Sequence, residues 1–338
     1  MRSDQELIAL LKEHLPHLHS GKVRESFSLG VHEGEKLRLV YVSDRLSALD
    51  FVLGFSVPMK GVVLNTKNLM ARECLPADIY QDLVASGTGI DAYLSDYPEL
   101  QGIPELQARC LVVKDLEMIP REFIVRGALT GSGFAAYEKT GSVSGHVLMP
   151  GLRNGQLLGL PLSTPSTKGL NGEHDVLVDA YETELLYSGI TEFVVGIYRS
   201  VHELHFDYGL FLADTKLEVG RIWKKGKPYF VLADEVGTPD SSRFWQWEEY
   251  LRVWPSQLPK SWDKDPVRRW LRLASKEAGF DIDSLDPKNS EHVALVKQLT
   301  PPYNVLLQIA EGYYDSVLAL GPTVESFWAE RGVELFSS

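Results

Sequence analysis

The sequence predicts an α+β fold built from two or three packed units, on three observations. Short apolar segments separated by turn residues fill residues 21–60 and recur over 106–127, as in an antiparallel sheet. Apolar residues at helical spacing mark the N-terminus and residues 191–208. From residue 245 onward the chain is rich in Trp and reads as helical. A length of 338 residues exceeds what one small core needs. The boundaries expected are 1–120 for a β-rich lobe, 121–250 for an α+β domain and 251–338 for a helical region.

At the N-terminus, Leu7, Leu10, Leu11 and Leu15 share one helical face, and Ser3 with Glu6 fits a capping box. The segment carries too many charges for a signal peptide, and no apolar run approaches a bilayer span. VRESFSLG, LRLVYVSD and FVLGFSVPM then read as strands, and 64–85 as helix. ARCLVVKDLEMI and REFIVRGAL predict a strand pair with a tight turn at Ile119-Pro120. Residues 140–175 are rich in Gly, Pro, Ser and Thr and predict a long functional loop. Phe193, Ile197, Val201 and Leu204 mark one face of a helix over 191–208, with Gly209 as its cap. A hairpin over 210–235 follows, and Thr300-Pro301 opens a final helix.

Composition narrows the function. A charged content of 24% and a hydrophobic content of 44% fit an ordinary globular protein. A net charge of −12 excludes a general nucleic-acid surface, but not a local cation cluster for one phosphorylated small molecule. Cys74 and Cys110 are too few for a disulfide framework and lack zinc spacing. Both read as reduced packing residues of a cytoplasmic protein, with no nucleic-acid or membrane partner expected.

GLFLADTKLEVG carries the most chemistry. Strand alternation puts Asp214, Lys216 and Glu218 on one face and Leu217 and Val219 on the other. PYFVLADE returns to end in Asp234 and Glu235. A three-residue turn Lys224-Lys225-Gly226 would set Asp234 opposite Lys216; a two-residue turn would rotate Asp234 to the other face. Two carboxylates and a lysine on one face suit a Mg²⁺–phosphate site. They also suit a solvated, cross-paired strand face, which is common in antiparallel sheets.

Other segments are open in the same way. Gly21-Lys22-Val23-Arg24 offers a close backbone approach and two cations to a phosphate, without Walker A spacing, or is a plain charged loop. Ser43, Asp44 and Arg45 begin a polar stretch after an apolar strand, fitting either a binding loop or a turn. Arg126 with Ser132 fits anion capture, or a structural pair with Glu122 or Glu138. Asp240 and Arg243 fit anion recognition, with Asp240 or Ser241 capping a helix through Phe244 and Trp245. His174-Asp175 is an acid–base or amine-positioning pair, or structural.

Taken together, these segments resemble the SAICAR synthetase (phosphoribosylaminoimidazole-succinocarboxamide synthase) family. MIPREFIVRGALTGS at 118–132 is similar to one family signature and LADTKLEVG at 212–220 to a second, with Val219 where Phe is usual. GKVRESF, SDRLSALD, TPSTKGLNGEHD and LADEVGTPDSSRFW match in order, so the resemblance spans roughly residues 20–330. TPSTK and the long C-terminal region look like the longer, yeast-type members.

The resemblance implies a kinase-like N-terminal antiparallel β lobe, an ATP-grasp-like α+β domain and a C-terminal helical part. It implies ATP-dependent ligation of L-aspartate to 5-amino-1-(5-phosphoribosyl)imidazole-4-carboxylate (CAIR) in purine biosynthesis, with Mg²⁺. On matching positions it implies ATP contacts at Gly21, Lys22, Val23, Arg24, Lys216, Glu218 and Asp234, the last two as metal ligands. It implies substrate contacts at Arg126, Ser132, Lys168, Asp240 and Arg243, with Ser43, Asp44 and Arg45 on the same side. Lys216, His174 and Asp175 are the implied catalytic residues. A kinase-like small-molecule phosphotransferase is the alternative enzyme, and a nucleotide-binding regulatory protein the alternative outside enzymes. A monomer or small homo-oligomer is expected.

Overall fold

The computed structural model describes residues 2–168 and 176–335. In chain order its elements are α1 (Asp4–His14), β1 (His17–Ser20), β2 (Arg24–His32), β3 (Glu35–Val42), β4 (Arg45–Ala48), β5 (Phe51–Ser56), α2 (Lys60–Glu73) and β6 (Leu83–Ser86). Next come α3 (Pro104–Arg109), β7 (Cys110–Lys114), β8 (Glu117–Leu129), α4 (Gly131–Thr140), β9 (Ser142–Val143), β10 (His146–Val147) and β11 (Gln156–Thr167). Then follow α5 (Ala180–Leu186), α6 (Ile190–Phe206), β12 (Leu210–Lys224), β13 (Lys227–Ala233), β14 (Ser242–Gln246) and α7 (Trp247–Val253). The chain continues through α8 (Asp265–Glu277), α9 (Ser290–Gln298), α10 (Tyr303–Leu318) and α11 (Val324–Ala329). No helix among the described residues is long and apolar enough to cross a membrane.

The chain divides into two units. One gathers Met1–Lys67, Asp82–Asp115 and Lys264–Ser338; the other gathers Asn68–Gln81 and Leu116–Asp263. The N-terminal strands and the C-terminal helices, separate regions in the sequence expectation, thus share the first unit.

In the first unit an antiparallel sheet runs in the order β1-β2-β3-β7-β6. Leu7, Leu11 and Leu15 of α1 and its end bury against Phe27, Leu39, Tyr41 and Val112, the face that the leucine spacing anticipates. Ser3 and Glu6 close the capping box. Contacts distant in sequence complete the unit: the buried Lys67 Nζ donates to the Ser316 carbonyl at 2.6 Å, and the buried Trp328 indole donates to Thr66 at 2.8 Å. Each is a hydrogen bond that a group so deeply buried needs.

In the second unit the sheet runs β11-β8-β12-β13, with β14 also pairing with β12. The fifteen residues of β12 change neighbour along one edge: Leu210–Thr215 pair with β14, and Glu218–Lys224 with β13. Phe123, Val125, Leu217 and Val219 bury against Ile190, Val194, Ile197, Tyr198 and Val201 of α6. The helix therefore packs on a face centred near Val194, Ile197 and Val201, with Phe193 and Leu204 at its margins.

Several expectations are corrected. The helix expected over 64–85 is α2, which stops before Pro76, and Leu83–Ser86 is a strand. No turn forms at Ile119-Pro120: β8 runs through it, and β7 belongs to the other sheet. Pro120 falls where the β8–β12 register shifts, between the Glu218↔Glu122 and Gly220↔Met118 pairs. A bulge is a place where a residue without an N–H fits a strand. Much of the expected 140–175 loop is β11, whose Pro161 and Pro165 suit the edge position it holds. The segment containing Phe244 and Trp245 is strand β14, not a capped helix. α10 starts at Tyr303 rather than Pro301, and α11 follows it.

Candidate active site

The strand period builds the site in the second unit. On β12, Asp214, Lys216 and Glu218 alternate with the buried Thr215, Leu217 and Val219. Across the ladder Asp214 pairs with Arg126, Lys216 with Ile124, and Glu218 with Glu122. One side of the sheet is thus apolar under α6, and the other carries interleaved charges.

At one end of that charged side, the Lys216 ammonium lies 2.6 Å from Glu122, and Lys168 of the edge strand's end lies 2.5 Å from Glu218. Glu122 and Glu218 sit directly opposite each other, an arrangement that repels unless each acid has a cation. The two lysines supply one each. They are 41% and 43% exposed, so they can reach a ligand, whereas Glu122 is buried.

The hairpin takes the two-residue turn. Lys224 pairs with Lys227, and Lys225 and Gly226 both have positive φ, 50° and 76°, as a two-residue hairpin requires. Glu218 consequently faces Ala233, and the three-residue register is not the one adopted. Asp234 escapes the core that this register would give it, because it leaves the strand in a left-handed conformation, φ 58°. It is half-buried, and its carbonyl accepts a 2.7 Å bond from Arg72. The chain then runs to Ser241, whose carbonyl accepts from the Lys216 amide at 2.9 Å, where β12 changes neighbour. Asp240 is a half-buried turn residue on this path.

At the other end two guanidiniums meet on one carboxylate oxygen: Asp214 Oδ2 lies 3.1 Å from Arg126 Nη1 and 2.6 Å from Arg243 Nη1. Arg126 also bonds Thr164 at 2.9 Å and Ser132 at 3.0 Å, and Arg243 bonds Asp263 at 3.1 Å. Gly131 and Gly133 make room for them. A Cβ on Gly131 would lie 2.7 Å from Arg243, and one on Gly133 2.8 Å from Arg126. Burial pushes the Arg126 pKa down; Asp214 opposes that shift and Arg243 adds to it. The two cations adjoin the start of α4, whose N-cap Thr130 makes no side-chain cap bond. A helix N-terminus with two guanidiniums beside it attracts anions.

The first unit holds the remaining expected residues. Gly21 N–H donates to the Arg24 carbonyl at 2.8 Å, making a tight loop, and Lys22 pairs with Asp50 at 2.5 Å. Ser43 is buried and donates to the Val23 carbonyl. The Asp44 carboxylate accepts from the amides of Met59 and Gly61 and from both terminal nitrogens of Arg109, 2.6 and 2.9 Å. The two amides fix it to the start of α2, and Arg109 ties it to the end of α3. Arg45 bonds Glu25 at 2.6 Å. His174 and Asp175 lie outside the described residues.

Sequence reading placed Asp214 on the charged side with Lys216 and Glu218, but missed Glu122 and Asp263 as parts of it. The signal for Glu122 was present, since it shares strand parity with Arg126. Arg126 pairs with Asp214, not with Glu122 or Glu138. Asp263, twenty residues from Arg243, had no signal.

The two metal ligands expected are Glu218 and Asp234. Among the described residues no group of three His, Cys, Asp or Glu side chains is arranged to hold a metal. Two carboxylates remain a hard-oxygen set of the kind Mg²⁺ takes when phosphate and water complete its shell.

Residues 17–281 match the model of the SAICAR synthetase family. The phosphoribosylaminoimidazole-succinocarboxamide synthase of Thermobifida fusca is 39% identical over 279 residues, 81% of this chain and 83% of that one. The Streptomyces coelicolor enzyme of the same name is also 39% identical, over 81% of this chain and 85% of its own. A structure of SAICAR synthase from Saccharomyces cerevisiae, in complex with SAICAR, is 30% identical, covers 90% of this chain and 94% of its own, and superposes with a TM-score of 0.73. The mixed α+β architecture, with antiparallel sheets and C-terminal helices, matches that longer type. The chain belongs to the SAICAR synthetase family.

Proposed function

We propose that this chain joins L-aspartate to the carboxylate of CAIR at the expense of ATP, giving SAICAR, ADP and phosphate in purine (IMP) biosynthesis. The observation that carries the reading is the two-ended charged face of one sheet, inside the region matched to the family. Its double-guanidinium end suits the phosphate of a ribotide, and its lysine–carboxylate end suits a nucleotide triphosphate. The kinase-like and ATP-grasp-like descriptions of the two lobes rest on the family resemblance.

Roles follow from the chemistry of each group. Arg126, Ser132 and Arg243 grip the ribotide phosphate, with Asp240 on the adjoining turn. Lys22 and Arg24, with the backbone of Gly21 and Val23, contact ATP phosphates. Lys216 neutralises charge on the transferred phosphoryl group. Glu218 and Asp234 hold Mg²⁺, which when bound supplies further charge stabilisation to that group. Lys168, His174 and Asp175 belong to the segment on the substrate side, the last two as the catalytic pair.

A carboxylate is a poor electrophile, so ATP first phosphorylates it: a CAIR carboxylate oxygen bonds the γ-phosphorus and the bond to ADP breaks. The aspartate amine then attacks the acyl carbon and phosphate leaves. Fixing the ribotide at its phosphate orients the carboxylate for both steps.

The test is an assay with ATP, Mg²⁺, CAIR and L-aspartate, omitting each in turn. SAICAR formation that needs all four supports the reading. ADP release at full rate without aspartate favours the phosphotransferase, and absence of turnover with nucleotide binding intact favours a regulatory binder.

A further inference from the structure

The Gly21–Arg24 loop is held by one short segment of its own unit. Arg45 Nη2 donates to the carbonyls of Gly21 at 3.3 Å and Arg24 at 3.2 Å. Its Nε donates to Ser43 Oγ at 3.0 Å, and Ser43 in turn donates both its hydroxyl, 2.8 Å, and its amide, 3.0 Å, to the Val23 carbonyl. Three of the loop's four carbonyl oxygens are therefore committed to donors of Ser43 and Arg45. Arg45 is itself anchored: its Nη1 lies 2.6 Å from Glu25, a buried carboxylate that also accepts from Ser20 at 2.6 Å. The same segment reaches the loop a second time. Its hairpin tip holds Leu49 and Asp50 at φ 51° and 66°, left-handed positions that a leucine takes only against strain, and this tip sets Asp50 on Lys22.

We propose that Arg45 is a positioning residue for ATP, acting through this loop rather than touching a substrate. The inference rests on the reading above that Gly21–Arg24 contacts ATP phosphates. A carbonyl oxygen facing a phosphate repels it. Arg45 turns two such dipoles toward itself and, through Ser43, fixes a third. The guanidinium is needed because one planar fork serves Glu25, Ser43 and two carbonyls at once, a geometry that an ammonium cannot copy.

The test uses the full chain, with ATP affinity measured by calorimetry in the absence of the other substrates and KM measured for all three. Arg45→Lys keeps the charge facing Glu25 and loses the fork. The expected result is an ATP Kd and KM about tenfold higher, the scale of lost charge-assisted hydrogen bonds. KM for CAIR and for aspartate stay within about twofold, since neither touches the brace. Ser43→Ala raises the same ATP parameters by less. Lys22→Ala weakens ATP binding by itself, and adding Arg45→Lys to it costs less than in the wild type, because both act through one loop.

A raised CAIR KM with ATP affinity intact would make Arg45 a substrate contact and overturn the proposal. Full additivity in the double variant would also count against it. If Lys22→Ala weakens ATP but Arg45→Lys does not, only the brace fails. If Lys22→Ala leaves ATP affinity unchanged, the placement of ATP beneath it fails as well.

Discussion

Lys216 of β12 and Glu122 of β8 meet at 2.6 Å across two strands whose directly opposed residues are the acids Glu122 and Glu218. The lysine screens a repulsion that the register creates. It is also the exposed cation nearest the middle of β12, where the strand changes neighbour.

Replacing Lys216 by Met therefore removes a charge contact that is fixed before substrate arrives. Turnover falls by about a hundredfold or more, the scale of losing one preorganised electrostatic contact. Steady-state kcat, with circular dichroism to show the fold retained, checks this. A near-normal kcat would remove Lys216 from the reaction. Asp234→Asn should fall on the same scale.

Arg126→Met tests the other end of the face. The side chain is 1% exposed and shares Asp214 with Arg243. Removing one member of a buried ion group costs about 3 kcal/mol. An unfolding free energy lowered by that amount in urea denaturation, with KM for CAIR raised, is expected; unchanged stability would mean that the pair is more solvated than its burial shows.

Gly133→Ala separates geometry from charge. Its Cβ would press on the Arg126 guanidinium at 2.8 Å, and that group cannot swing away while Thr164, Ser132 and Asp214 hold it. We expect KM for CAIR to rise several-fold, roughly 1 kcal/mol of lost binding, while KM for ATP stays put. Equal increases in both would point to a general loosening of the second unit.

Glu25 gives a pH dependence. Burial pushes its pKa up, but hydrogen bonds from Ser20, His17 and Arg45 outweigh that and leave it below the ordinary 4.5. A carboxylate depressed in the folded state binds fewer protons there than in the unfolded chain. Its stabilisation is present above pH 4.5 and is lost as pH falls through the lower folded value. The difference in Tm between wild type and Glu25→Gln should be full at neutral pH and shrink below 4.5. A difference constant down to acid unfolding would contradict the assignment.

Much of this was legible in strand periodicity and capping chemistry. Leu7, Leu11 and Leu15 announced α1, and the alternation of Lys216 with Leu217 announced which side of β12 is polar. Local signals could not see the partner strand. Whether Lys224-Lys225-Gly226 makes a turn of two or three residues depends on the pairing energy of the whole ladder, which selects Glu218 against Ala233. Pro120 looked like a turn because its missing N–H is a local fact; that it falls at a bulge opposite Glu218 and Gly220 is a tertiary one. Likewise Pro161 and Pro165 signalled a loop, and only the edge position of β11 makes them acceptable in a strand. The resemblance implied a substrate-side place for Arg45; the four protein acceptors of its guanidinium are tertiary facts that no local signal carries.

The first unit draws on both extremes of the chain, with Thr66 bonded to Trp328 and Lys67 to Ser316. During synthesis, at roughly 5–20 residues per second, the stretch that ends at Asp263 emerges whole while the final helices are still unmade. The strands β1 to β5 are then among the last elements to reach their finished surroundings. Closing so wide a loop slows assembly more than it weakens the product. A nascent chain halted once Asp263 has left the ribosome would carry a finished second unit and an N-terminal sheet still waiting for its last helices.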